Sequence, residues 1–175
     1  MSEPTIRPAT RDDIAHLVAW NATMAWETEA KRLDPEVLAR GVAGVFDEPR
    51  RGFYLVAERD GTAVGGLLVT YEWSDWRCGD FWWIQSVYVE PTARRGGVFR
   101  ALHEAVVQRA RDAGAVGVRL YVETENHRAQ ATYEAWACSA AITSCTSRCC
   151  ADPANPVIDT VAGARWRAML LFCIC

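Results

Sequence analysis

The chain has no apolar run of the roughly 20 residues that a membrane-spanning helix needs, so a helical membrane protein is excluded. It has no basic excess either. Its 19 Lys and Arg stand against 22 Asp and Glu, for a net charge of −3, and nothing in that balance advertises a nucleic-acid partner. Met1-Ser2-Glu3-Pro4 lacks the basic-then-apolar layout of a secretory signal, so the expected location is the cytoplasm. Cysteine is nearly absent from most of the chain. Only Cys78 precedes Cys138, and the rest (Cys145, Cys149, Cys150, Cys173 and Cys175) crowd the C-terminal end. No histidine follows His127, so a tetrahedral zinc site is hard to assemble from that cluster. A disulfide framework does not suit a chain without a leader. No metal is expected.

What is present is an ordinary globular composition, 50% hydrophobic and 23% charged over 175 residues, enough for one domain with its own core. Ile6-Arg7 begins a short strand. Thr10, with Asp12 and Asp13 behind it, predicts a helix start and a helix to about Met24, with Ile14, Leu17, Val18 and Met24 inward. Asp34-Pro35 predicts a second start, with Val37, Leu38 and Val45 on one side. Phe53 to Glu58 and Val64 to Trp73 read as strands joined at Asp60-Gly61, a hairpin turn. Phe81 to Val89 is apolar, aromatic and β-branched, as a central strand would be. A helix is predicted from about Val98 to Asp112, with Leu102, Val106 and Ala110 inward and Gly114 closing it. Val116 to Val122 is the next strand, and Asn126 caps a last helix. Strand, helix and strand in that order imply a crossover and at least one parallel pair. The reading is one mixed α/β domain.

The segment that carries chemistry is Val87-Tyr88-Val89-Glu90-Pro91-Thr92-Ala93-Arg94-Arg95-Gly96-Gly97-Val98-Phe99-Arg100. A strand ends, a basic glycine-rich turn follows, and a helix starts. Backbone N–H groups at a helix start attract anions, glycines allow close approach, and Arg94, Arg95 and Arg100 add positive charge. The residues alone fit either an ordinary surface turn or a diphosphate site. There is no Lys-Ser/Thr pair of a nucleoside triphosphatase and no full dinucleotide fingerprint.

The segment resembles the acyl-CoA-binding motif of the GNAT superfamily, Arg/Gln-x-x-Gly-x-Gly/Ala after a Val-x-Val-x-Pro strand end. Arg94 matches the first position and Gly97 the central glycine, while Phe99 replaces the usual small third residue. Asn126-x-x-Ala129-x-x-x-Tyr133 resembles the GNAT helix that follows the next strand. The resemblance covers Ile6 to Ala135. It implies a mixed, mostly antiparallel sheet flanked by helices. It implies acetyl-CoA held by the backbone from Arg94 to Phe99, with Arg100 alongside and the pantetheine arm paired to the strand from Val87 through Tyr88 to Val89. Asn126 and Ala129 would contact the same arm, and Tyr133 would protonate the leaving thiolate.

Acyl transfer to an amine also requires a proton acceptor. GNAT proteins often place a Glu on the strand matching Phe81 to Val89, but here that strand carries Gln85 and Ser86 and no carboxylate before Glu90. The candidates are Glu27, Glu29, Glu72 and Asp75, each equally readable as a solvated surface acid. Trp26, Trp73, Trp76, Trp82 and Trp83 lie near them in sequence, and acids beside aromatics suit a cationic amine. His16, His103 and His127 are expected on the surface.

From Trp136 the texture changes. GNAT chains continue here with Leu-Gly-Met, whereas this one reads Trp136-Ala137-Cys138. Their codons (TGG, GCN, TGY) become CTG GGC ATG, Leu-Gly-Met, when one C is restored before them; the glycine is forced by the code. In the same frame Thr143 and Thr146 can become His or Tyr, Arg148 can become Glu, Cys150 must become Leu, and Asp152 can become a stop. The expectation is a GNAT domain over residues 1–135 and an atypical Cys-rich tail over 136–175, with 136–151 translated out of frame and 152–175 read from non-coding sequence. The C-terminal hairpin of the fold would then be absent or replaced, and the exposed edge would favour a homodimer. The expected function is N-acetyl transfer from acetyl-CoA to a primary amine of a small molecule or peptide. The alternatives are a GNAT fold that binds acyl-CoA with little or no turnover, and an interaction domain without ligand.

Overall fold

In a computed structural model, which describes residues 2–120, strand β1 spans Thr5–Pro8 and leads through a 3-10 turn into helix α1, Ile14–Glu29. Helix α2 covers Pro35–Asp47, followed by β2 (Phe53–Arg59), β3 (Thr62–Ser74), β4 (Gly79–Val89), helix α3 (Val98–Asp112) and β5 (Gly117–Leu120). The strands form one sheet in sequential order. The first three pairings are antiparallel, and β4 pairs with β5 in parallel through α3. This is the mixed, mostly antiparallel sheet expected, with helices on both faces. The last helix expected after Asn126, the site residues on it and the tail lie outside the described residues.

Side-chain alternation in β2 divides the core. Leu55 and Ala57 join Leu67 and Val69 of β3 under Val98, Leu102 and Val106 of α3. Tyr54 and Val56 point the other way, to Leu17 and Trp20 of α1 and Val42 of α2. The period of two along the strands thus separates two apolar layers. Asp60 (φ 51°) and Gly61 (φ 75°) make the hairpin turn, with the two positive φ values that match strand twist.

Three expectations are corrected. Helix α1 continues past Met24 to Glu29, because nothing from Ala25 to Glu29 breaks a helix; it stops where Ala30 turns left-handed, φ 50°. In α2 the buried stripe runs through Leu38, Val42, Val45 and Phe46, at the spacing of one helix face. Val37 falls outside it and is 57% exposed, whereas Val42 is 3% exposed. Val42→Ala should therefore cost roughly 2 kcal/mol and Val37→Ala less than about 0.5 kcal/mol; chemical denaturation of both variants checks this. His103 is only partly exposed. It packs on Phe99 with ring centroids 6.1 Å apart, and burial pushes its imidazole below the usual histidine range.

Among the described residues, no helix is long and apolar enough to cross a membrane, and no three metal-ligating side chains converge.

Candidate active site

The site is built on β4, and β4 carries a bulge. Leu68 pairs with Ser86 but Val69 pairs with Ile84, so Gln85 is the extra residue. A bulge shifts the side-chain phase by one. Accordingly Trp82 and Ile84 face α3 before it, and Val87 and Val89 face α3 after it. Tyr88 is sent to the α1 side, where its ring stacks on Trp20 at 6.1 Å. The pairing with β5 runs from Phe81 to Ile84. From Gln85 to Val89, the edge of β4 on the β5 side has no strand partner among the described residues. An extended ligand can add to such a strand edge as a further strand does.

Beyond Val89 the chain makes a compact turn into α3. The Glu90 amide donates to the Val64 carbonyl at 2.9 Å, and the Arg94 amide returns to the Glu90 carbonyl at 3.1 Å. Arg95 (φ 64°) and Gly97 (φ 79°) are both left-handed, and α3 starts at Val98 with no side chain capping it. Its first amides therefore have neither intrahelical partners nor a side-chain cap, and the helix dipole favours an anion at that point. A Cβ built on Gly97 would meet nothing within 4 Å, so the space over this turn is open. The opposite side of the turn is tightly held. Arg59 Nη2 donates to the Gly96 carbonyl at 2.7 Å, and a Cβ on Gly96 would lie 2.8 Å from both terminal nitrogens of Arg59.

The three arginines are placed differently. Arg95 and Arg100 are exposed at the turn, Arg100 in an i,i+4 pair with Glu104 at 2.8 Å. Arg94 is turned inward. Its Nε donates to the Val89 carbonyl at 3.0 Å, its Nη2 to Glu27 Oε2 at 2.9 Å, and its guanidinium lies 5.7 Å from the centre of the Tyr88 ring. Trp20 Nε1 donates to Glu90 Oε1 at 2.6 Å. Burial pushes the Tyr88 phenol above the usual range, Glu90 and Glu27 add to the rise, and Arg94 opposes it. The phenol stays protonated at neutral pH. Leu17, Trp20, Asn21 and Met24 of α1 line a narrow crevice over Ser86 and Tyr88.

The candidate acids fall into two groups. Glu27 and Glu29 lie on the last turn of α1, at the same end of β4 as the glycine-rich turn. Glu72 sits opposite Phe81, eight residues from Val89, or about 26 Å along the strand. It pairs with Arg119 at 2.8 Å. Asp75 lies in the β3–β4 connection and accepts from the Trp76 amide at 2.9 Å. The tryptophans are spread in the same way. Trp82 is buried, Trp26 is exposed on α1, and Trp73 and Trp76 are exposed at the far end of the β3–β4 hairpin, Trp76 by 86%. Sequence reasoning missed Trp20, Glu90 and Arg59. Trp20 had a faint signal, since it stands two helical turns before Glu27; Glu90 and Arg59 had none.

A strand that ends in a glycine-bearing turn and a helix start is the order that the sequence resemblance rests on, the bulge in β4 being an addition from the structure, and comparison decides the family. Residues 12–137 match the family model described as acetyltransferase (GNAT) family. This chain belongs to the GNAT acetyltransferase family. Its similarity extends to the structure of a possible acetyltransferase from Clostridium difficile 630, with 41% identity, a TM-score of 0.71, and coverage of 81% of this chain and 96% of that one. The ribosomal-protein-alanine N-acetyltransferase of Brucella melitensis is 24% identical, with a TM-score of 0.63 and coverage of 75% and 82%. A transcriptional regulator from Bacillus halodurans C-125 is 22% identical, with a TM-score of 0.69 and coverage of 81% and 96%. The latter two share the fold. No curated protein matches the chain significantly. In this GNAT domain, the turn from Arg94 to Phe99 and the edge of β4 lie within the matched residues.

Proposed function

We propose that the chain transfers an acetyl group from acetyl-CoA to a primary amine of a small molecule or peptide, in the cytoplasm. The observation that carries this reading is the turn at Arg95–Gly97. Left-handed sites at Arg95 and Gly97, with one residue between them, shape the turn into α3, while Arg59 and Arg94 fix it from behind. The residues present fit a diphosphate: the first amides of α3 have no side-chain cap, the space over Gly97 is open, and Arg95 and Arg100 are exposed beside it in sequence.

Bound acetyl-CoA supplies the thioester that an amine attacks directly. The open edge from Gln85 to Val89 orients the extended arm. The Val89 carbonyl already accepts from Arg94, so it offers one remaining lone pair. Tyr133, outside the described residues, is assigned the proton for the departing thiolate. Glu27, Glu29, Glu72 and Asp75 are the candidates to take the amine's proton. Glu27 is paired with Arg94 and Glu72 with Arg119; of the two acids without a described ion-pair partner, Asp75 lies in the distant β3–β4 connection and Glu29 at the turn end of the site, which favours Glu29. From Trp136 onward we read the chain as translated out of frame, on the codon argument given above.

Calorimetric titration with acetyl-CoA tests the reading. The expected result is one-site binding, followed by turnover in a screen of amines. If the chain fails to bind, the same titration is made on a version carrying Leu-Gly-Met and its in-frame continuation from residue 136. Failure of both would overturn the acyltransferase reading.

A further inference from the structure

Two bonds tie α1 to the segment that enters the cofactor turn. Trp20 Nε1 holds Glu90 at 2.6 Å, and Glu27 holds Arg94 at 2.9 Å. Trp20 and Glu27 are seven residues apart, two helical turns along the same face. Glu90 and Arg94 bracket the 3-10 turn Pro91–Ala93 and are themselves joined by a backbone hydrogen bond of 3.1 Å. Tyr88 lies between the two ties, with Trp20 stacked on its ring and the Arg94 guanidinium 5.7 Å from its centre. The same face of α1 also supplies Leu17, Asn21 and Met24 to the crevice over Ser86 and Tyr88. One helix face therefore both lines a crevice beside the bulge and grips the turn.

We propose that Glu27 and Arg94 are positioning residues that clamp α1 to the cofactor turn, so that occupancy of the turn sets the position of α1 and of the crevice beneath it. The proposal rests on the acyl-CoA reading above and extends it to communication between the two sides of β4. The Glu27–Arg94 side chains are 33% and 24% exposed, and an ion pair so placed adds little to folding stability. Its contribution lies in geometry. Arg94 is fixed by a carbonyl, a ring and a carboxylate at once, and Glu27 is the one of these that belongs to α1. Without it the turn keeps its own bonds while α1 loses one of its two ties. A coupling of this kind changes affinity by about fivefold or more.

The test is amide hydrogen exchange on the full chain, with and without saturating acetyl-CoA, in wild type and Glu27→Gln. In wild type, acetyl-CoA should slow exchange both in residues 90–100 and in the second half of α1. In Glu27→Gln, protection of residues 90–100 should remain, protection of α1 should disappear, and the Kd for acetyl-CoA should rise about fivefold. The thermal midpoint of the free protein should stay within about 2 °C of wild type. Ligand-dependent protection is a readout that a merely stabilising pair would not move. Protection of α1 that is equal in both proteins, or absent from wild type while the turn is protected, would overturn the clamp alone. No protection of the turn in wild type would overturn the cofactor reading and the clamp with it.

Discussion

Replacing Asp13 by alanine is expected to lower folding stability by about 2 to 4 kcal/mol, below the full cost of breaking a buried ion pair because Arg7 is half-buried and keeps Glu58. The carboxylate is 5% exposed and accepts from Arg7 Nη1 and Nη2 at 2.7 and 2.8 Å, from the Thr10 amide at 2.7 Å and from the Thr10 hydroxyl at 3.2 Å. Arg7 in turn donates from Nε to Glu58 Oε1 at 2.8 Å, so β1, the start of α1 and β2 meet at this one group. Alanine would take from the Thr10 amide its side-chain acceptor and leave half-buried Arg7 with Glu58 and the Pro8 carbonyl. In a chain of this size the loss corresponds to a fall in thermal midpoint of roughly 10 °C. The pH dependence has a definite sign. Hydrogen bonds from Arg7, aided by Thr10, hold the Asp13 carboxyl down at about 2, against about 3.9 when unfolded. A carboxyl depressed on folding contributes stability above its unfolded pKa and loses it as pH falls through the folded value. The wild-type midpoint should thus drop between about pH 4 and pH 2, and Asp13→Asn should be flatter across that window. Scanning calorimetry at several pH values measures both effects.

Gly97→Val should abolish acetyl-CoA binding at concentrations that saturate wild type, a loss of at least about a hundredfold, while costing only about 1 to 2 kcal/mol of stability. Gly97 has φ 79°, where a β-branched residue is an outlier. Strain alone gives the stability term. The larger effect comes from the open space above Gly97, which the isopropyl group would occupy and which the proposed diphosphate needs. Calorimetric titration gives the affinity and thermal denaturation the stability. A folded variant that binds as wild type does would place the phosphate elsewhere.

Much of this structure is legible in the sequence, and the reasons are local. Helix α3 was read with its observed bounds because Gly97 and Gly114 punctuate it at left-handed positions. The β2–β3 hairpin was legible because Asp60-Gly61 permits one tight turn. Where the reading went wrong, two local cues competed. Met24 looked like the last inward residue of α1, yet the residues after it favour helix, and tertiary contact through Glu27 gives them a use. The site was legible as a turn but not as an arrangement of side chains. Arg94, read among the phosphate-flanking charges, points to Glu27, and that contact spans 67 residues of sequence. Trp20 and Glu90 are 70 residues apart, and Arg59 reaches Gly96 across 37. No spacing rule foretells such meetings, because they depend on how β2, β4 and α1 come together in space.

The extra residue at Gln85 fixes the length of β4 in a way that its composition does not. Trp82 and Ile84 lie out of phase with Val87 and Val89, yet both pairs serve the layer beneath α3. A strand one residue shorter, continuous in its pleat, would have to turn one of the pairs toward α1 and withdraw it from that layer. The distance from the β3–β4 hairpin to the glycine-rich turn is therefore counted in whole residues and tolerates no slip. The protein sets the placing of its cofactor turn by arithmetic along one strand, and the side chains packed under α3 enforce the count.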